Sequence, residues 1–155
     1  MIRVAGWSLT DSCNLKCIHC YNSSGKICRE ELDLDECIAV ANQLKDFGVA
    51  AVNFGGGECA LSDSFIPLCK HLNKLHIKIS YTMNGTTYDY IEGHLELFHD
   101  IGVSIDFADE EKHDYFRGRE GTYASAVNSI KKLVKNNVNT EIVTCLTKMN
   151  SSSEE

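Results

Sequence analysis

Residues 11–21 read "DSCNLKCIHCY", which places Cys13, Cys17 and Cys20 in a C-x3-C-x2-C spacing. The stretch lies between two segments of different pattern. Before it, "RVAGWSL" (Arg3 to Leu9) has the composition of a β-strand. After it, "LDECIAVANQLKDF" (Leu34 to Phe47) puts Ile38, Ala41 and Leu44 on one helical face. Asp33 suits the N-cap of that helix, with Glu36 three residues on. Gly48 suits the left-handed position past its end. The cysteines therefore fall in a loop that leads from a strand to a helix.

The alternation continues along the chain. Strands are expected at Ala50–Phe54, Lys78–Thr82, Val103–Phe107 and Thr140–Leu146. The short apolar run "AAVNF" reads as a strand buried on both faces. Helices are expected at Asp63–Leu75, capped by Ser62 or Asp63, at Tyr88–Ile101 and at Tyr123–Asn136. "GGGECALS", "MNGT" and a long polar stretch from Ala108 to Gly121 read as loops. Five strands separated by helices predict an α/β fold built from right-handed βαβ units around a parallel sheet. An open doubly wound sheet and part of a βα barrel both fit. Either one gathers the loops after the strands on one face, where ligands bind. Every unusual stretch of this sequence is then on that face.

Bulk properties narrow the function. The net charge is −7, which argues against a nucleic-acid backbone or an anionic membrane as main partner. No apolar run is long enough to span a bilayer, and the N-terminus lacks a signal-peptide core, so a cytoplasmic protein is expected. In a reducing compartment, clustered cysteines more often bind metal or act in catalysis than form disulfides. Of the scattered cysteines, Cys37, Cys69 and Cys145 read as small buried hydrophobes.

For the cluster itself, a c-type haem site fails because Tyr21, not histidine, follows Cys20. A structural zinc site could recruit Cys28 or His19 as a fourth ligand, but the sequence offers no second cysteine pair. A [4Fe–4S] cluster held by three thiolates leaves one iron open for a ligand, beside the face where function is expected.

At this point the sequence resembles the radical S-adenosylmethionine (SAM) superfamily, and in "CNLKCIHCY" the core domain of SPASM-type peptide-modifying members. "FGGGEC" is similar to the family's GGE stretch, and "SYTMNGT" to its TNGT-type turn. "VSIDFADEEKHDYFRGREGT" is similar to its S-x-D-G…HD-x-x-RG stretch, and "TCLTKMN" to its fifth-strand end. The resemblance covers nearly the whole chain in order. It implies a partial (βα) TIM-like barrel of about five βα units, a [4Fe–4S] cluster and S-adenosylmethionine.

On that resemblance Cys13, Cys17 and Cys20 each ligate an iron. His19 packs near the adenine. Gly55, Gly56 and Gly57 seat the methionine ammonium, and Glu58 helps to neutralise it. Ser104 and Asp106, two apart at the end of the fourth strand, point the same way and suit the ribose hydroxyls. Arg117 faces the methionine carboxylate. His113 and Asp114 shape their loop, and Asn84 is a turn residue. Cys59, where the family usually has proline, is either a small replacement or a redox-active thiol. Phe107 stands where glycine is usual and narrows the site. The implied reaction is reductive cleavage of the cofactor to a 5′-deoxyadenosyl radical, which takes a hydrogen from a substrate. A peptide or protein is the expected substrate, and a flavodoxin or ferredoxin the electron donor. Alternatives are an iron–sulfur or zinc module without catalysis, or a radical enzyme acting on a tetrapyrrole or small metabolite. "NSSSEE" (150–155) carries two S-x-x-E capping boxes where the chain stops. Residues 1–155 are therefore expected to be the N-terminal portion of the core, cut before its last βα unit and any auxiliary-cluster domain.

Overall fold

The computed structural model describes residues 2–25 and 30–151. Cys28 and both C-terminal capping boxes, which need Glu154 and Glu155, involve residues outside that description. Five strands, β1 (Val4–Thr10), β2 (Ala51–Gly56), β3 (Lys78–Met83), β4 (Asp100–Ser104) and β5 (Thr140–Val143), form one sheet in the order β1-β2-β3-β4-β5. Every adjacent pair is parallel. A doubly wound sheet reverses its strand order at a switch point, whereas a barrel keeps sequential neighbours. The unbroken order therefore decides for the barrel-like alternative, left open between β1 and β5.

The strands have two unlike faces. Val52 and Phe54, Ile79, Tyr81 and Met83, and Ile101 and Val103 are buried against the helices. The opposite face carries Gly6, Asn53, Ser80 and Thr82, less buried and smaller. β2 is thus not covered on both faces, as its apolar run suggested: Val52 is buried and Asn53 is exposed. The helices α1 (Leu34–Asp46), α2 (Phe65–Lys74), α3 (Tyr88–Ile91) and α5 (Thr122–Lys135) connect successive strands. The capping box of α1 forms as expected: Asp33 accepts the Glu36 N–H at 2.9 Å, and Glu36 accepts the Asp33 N–H at 3.0 Å. Gly48 takes the left-handed conformation, with φ +80°. The N-cap of α2 is Ser64 rather than Ser62 or Asp63, and its side chain makes no capping bond.

Three expectations about elements need larger corrections. The helix expected at Tyr88–Ile101 is a single turn, α3, followed by a 3₁₀ stretch, Glu92–Leu97, kinked at His94. Phe98 then turns extended and packs its ring against Phe65 and Tyr81, with centroids 5.9 and 5.8 Å away. Burying that ring ends the helical path, so β4 starts at Asp100, three residues before Val103. The Ser80 hydroxyl donates to Asp100 at 2.8 Å, across the pair that sets the β3–β4 register. Secondly, β5 stops at Val143, and Cys145, expected buried, lies exposed beyond it. Thirdly, the stretch Ala108–Gly121 is not a plain loop but contains a helix, α4 (Glu110–Arg117). Asp109 caps it by accepting the Lys112 N–H at 2.9 Å, and Gly118 closes it at φ +73°. His113, Phe116 and Arg117 form its buried side. Among the described residues no helix is long and apolar enough to cross a membrane.

Asp114 joins α4 to α5. Its carboxylate accepts the Thr122 hydroxyl at 2.7 Å, the Tyr123 N–H at 2.8 Å and the Gly121 N–H. Burial raises its pKa, but these hydrogen bonds outweigh burial and hold the group below the usual carboxylate range. Asp114→Ala should cost about 2–3 kcal/mol in urea unfolding at pH 7. Because the folded value is the lower one, the wild-type advantage exists above about pH 4. It should shrink as the pH falls through the folded-state value.

Candidate functional site

The C-terminal ends of the strands open into one cavity of about 610 Å³, a size common for small-molecule sites. Its wall contains Cys13, Cys17, His19 and Cys20 from the β1 loop, Gly55 to Glu58 from the end of β2, Ser104 from β4 and Arg117 from α4. These expected site residues, which run from Cys13 to Arg117 in the sequence, meet in one place.

Backbone contacts hold the cysteine loop there. The Gly57 N–H donates to the Thr10 carbonyl at 2.7 Å, and the Glu58 N–H to the Ser12 carbonyl at 2.8 Å. Gly56 has φ +107°. A Cβ on Gly57 would lie 2.2 Å from the Ser12 carbonyl oxygen, and one on Gly56 2.9 Å from that of Thr10. Glycine at these two positions is therefore demanded by the cysteine loop itself. Gly55 differs, since a Cβ there would meet nothing within 4 Å. On the far side, the Ile18 N–H donates to the Phe116 carbonyl at 2.9 Å, and Gly118 lies so close that a Cβ would come 2.6 Å from the Lys16 carbonyl oxygen. The loop is clamped between β2 and α4.

Glu58 is 1% exposed. Its Oε1 accepts the hydroxyls of Tyr81 and Thr87, and its Oε2 accepts the Asn84 N–H at 2.8 Å. Burial raises its pKa more than those donors lower it. The carboxylate thus reaches the cavity wall already met by three protein donors, a partnership the sequence alone did not reveal. Asn84 is a turn residue: its Oδ1 accepts the Thr86 N–H at 2.9 Å, and its Nδ2 donates to Asn14 at 2.9 Å.

His19 stacks on Phe116 with ring centroids 4.2 Å apart and planes 8° from parallel. Its Nδ1 is buried without a protein partner, as is Nε2 of His113. Burial, and then the charge of Arg117, lower the pKa of both rings, which favours the neutral imidazole at pH 7. Arg117 donates from Nε to Oδ2 of Asp106 at 2.6 Å, and its charge favours the Cys17 thiolate, against the burial that raises that thiol's pKa.

Asp106 departs from its expected place. β4 ends at Ser104, so the alternation that would aim both side chains the same way does not extend to residue 106. Ser104 lines the cavity and Asp106 does not. The Asp106 carboxylate is instead held by Arg117 and by the Cys145 N–H, 2.9 Å from Oδ1.

The three thiols are free and half-buried. Burial raises the pKa of Cys13 and Cys17; hydrogen bonds from the Leu15 backbone and the Asn84 side chain oppose this at Cys13, and the Arg117 charge opposes it at Cys17. Among the described residues no three His, Cys, Asp or Glu side chains converge tightly enough for a single metal ion, the arrangement a zinc site needs. The donor set suits a larger thiolate-bound group: three free thiols on one wall, open space over Gly55, a guanidinium and an orphaned imidazole nitrogen.

Cys59 is fully buried, and its thiol donates to the Gly55 carbonyl at 3.1 Å. Burial pushes its pKa up to about 12, which fits a small filler rather than a reactive thiol. Sequence reasoning missed Cys145 as a wall residue. Cys145 lies two residues past the end of β5, where strand alternation no longer places it, so local pattern offered no signal.

The family model described as "Radical SAM superfamily" matches residues 7–155. The chain is 35% identical over 152 residues to the sporulation killing factor maturation protein SkfB of Bacillus subtilis (strain 168), across 95% of this chain and 36% of that protein. It is 31% identical over 138 residues to the mycofactocin maturase MftC of Mycolicibacterium smegmatis, across 82% of this chain and 33% of that one. The chain thus spans about a third of the length of these relatives. In fold it is similar to native anSMEcpe with bound AdoMet, with TM-score 0.73 at 21% identity, covering 92% of this chain and 43% of that one. It is also similar in fold to Streptococcus suis SuiB bound to the precursor peptide SuiA, with TM-score 0.69 at 15% identity, covering 93% of this chain and 39% of that one.

Two measurements check this geometry. Gly57→Ala should destabilise the chain by about 2 kcal/mol or more, because the obstructing atom is backbone, while Gly55→Ala stays within about 1 kcal/mol; denaturant unfolding compares them. In thiol labelling at pH 8, Cys145 should react in the native chain, whereas Cys59 and Cys69 react only on unfolding. Mass spectrometry of digests assigns each site.

Proposed function

The chain belongs to the radical SAM superfamily, and from that premise we propose that residues 1–155 are the cluster-bearing part of a radical SAM maturase-type enzyme. The observation that carries this reading is the convergence of three free thiols, the "GGGE" turn, Ser104 and Arg117 on one cavity wall. When bound, a [4Fe–4S] cluster supplies an electron and S-adenosylmethionine supplies a 5′-deoxyadenosyl radical, which takes hydrogen from a substrate.

Cys13, Cys17 and Cys20, three free thiols on one wall, would hold the cluster through their sulfurs. The Arg117 guanidinium, on the same wall as Cys17, would offset the negative charge of the thiolates and could pair with the methionine carboxylate of the cofactor. The open space at Gly55 lets backbone approach the methionine ammonium, and the Glu58 carboxylate sets the sign of the field there. Ser104 offers a hydroxyl to the ribose. His19, neutral and already stacked on Phe116, presents its other face to the adenine. The small polar residues of the open sheet face, Asn53 and Thr82, leave room for substrate. A peptide substrate is supported by the relatives SkfB and MftC, a killing-factor maturation protein and a mycofactocin maturase. A flavodoxin or ferredoxin is the proposed electron donor.

Anaerobic reconstitution tests the reading. About four iron and four sulfide per chain are expected, with 5′-deoxyadenosine released from S-adenosylmethionine under a strong reductant. Cys17→Ala should abolish both signals. One zinc per chain with no sulfide, or full signals in Cys17→Ala, would overturn it.

A further inference from the structure

We propose that Asp106 is a positioning residue, which aims the Arg117 guanidinium into the cavity and ties the segment after β5 to the same point. All four of its polar groups are used, and each bond runs to a segment outside β4. Oδ2 accepts Arg117 Nε of α4 at 2.6 Å. Oδ1 accepts the Cys145 N–H, beyond β5, at 2.9 Å. The Asp106 N–H donates to Nδ1 of His113 at 3.2 Å, and its carbonyl accepts Nδ2 of Asn150 at 2.9 Å. Its side chain is fully buried while that of Arg117 keeps 9% exposure. Arg117 and Cys145 line the cavity, but Asp106 does not, so it acts through them.

The geometry at Arg117 matters because a guanidinium is a rigid fork. With Nε fixed on Asp106, the terminal nitrogens can point only where the plane directs them, towards Cys17 and the cavity. Without Asp106, the Nε anchor of a long, rotatable side chain is lost and the charge is no longer aimed. A buried carboxylate–guanidinium pair is by itself weak grounds for stability, since desolvation offsets much of the attraction. A role in orientation explains better why the pair stands directly behind the wall. This inference rests on the proposed role of Arg117 towards a carboxylate.

The test uses wild type, Asp106→Asn, Arg117→Lys and Arg117→Ala, each loaded to matched iron content and kept without reductant so that no turnover occurs. Calorimetry compares the Kd for S-adenosylmethionine with that for decarboxylated S-adenosylmethionine, and the ratio reports recognition of the carboxylate. Arg117→Ala should lower that ratio at least tenfold. Asp106→Asn should lower it by about tenfold although Arg117 is still present. Arg117→Lys, which keeps the charge and leaves Asp106 in place, should do the same, and serves if Asp106→Asn does not fold. A ¹⁵N-arginine NMR spectrum of the metal-free chain should also lose one slowly exchanging Nε–H signal in Asp106→Asn. If Asp106→Asn or Arg117→Lys weakens both ligands equally, Asp106 is only structural and the inference falls. If Arg117→Ala leaves the ratio unchanged, the carboxylate role of Arg117 falls instead, and the inference with it.

Discussion

The β1–β2 pairing does not stop where the strands stop. Beyond the register that ends at Thr10 and Gly56, the Gly57 and Glu58 N–H groups continue onto the Thr10 and Ser12 carbonyls. That continuation carries the backbone of the cysteine loop across the end of β2. It is possible only because no side chain stands at Gly57, where a Cβ would overlap the Ser12 carbonyl. The position of Cys13 follows directly, being the next residue. Cys17 and Cys20 follow from the second clamp, in which α4 meets Ile18 and Lys16. A loop held from both sides by backbone is pre-organised, so less conformational entropy is lost when a ligand binds.

The sheet contributes by being unlike on its two faces. The helix-covered side buries Phe54, Tyr81, Ile79 and Ile101 in a continuous apolar layer. The other side is small and polar, where a closed barrel would pack layers of branched residues. The absence of bulk there is what leaves a cavity at all. Glu58 links the two regions. It is buried beside Tyr81 of the core yet reaches the cavity wall, and Tyr81, Thr87 and Asn84 each donate to it. An unpaired carboxylate in such a place would cost several kcal/mol. The donors make it tolerable and at the same time fix the turn after β3.

Electrostatics at the site is organised around Arg117. It is the charge that, after desolvation, lowers the pKa of His19 and of buried His113, that opposes burial at Cys17, and that pairs with Asp106. Arg117, paired with Asp106, brings a cation to a wall that also carries Glu58 and three thiols, in a chain whose net charge is −7. The local sign of a site and the sign of the whole protein are independent quantities, since screening limits distant surface charges to about 8–10 Å.

The sequence by itself determined the alternation of strands and helices, the α1 capping box with its terminal Gly48, and the gathering of the cysteine, "GGGE" and post-β4 stretches at one end of the sheet. Those features are local: periodicity, capping and turn chemistry act over a few residues. The helix α4 was also legible in principle, since Asp109 and Gly118 are cap residues, but its charged composition hid it. What local pattern could not decide was left to tertiary structure. Strand order, and so barrel over doubly wound sheet, depends on which strands pair, a relation between residues far apart. The start of β4 was settled by the burial of Phe98 between Phe65 and Tyr81. The partner of Asp106 was settled by α4 folding back over β4, eleven residues on. A carboxylate in a sequence shows its charge but not the cation it will meet, because that distance is fixed only when the chain closes on itself.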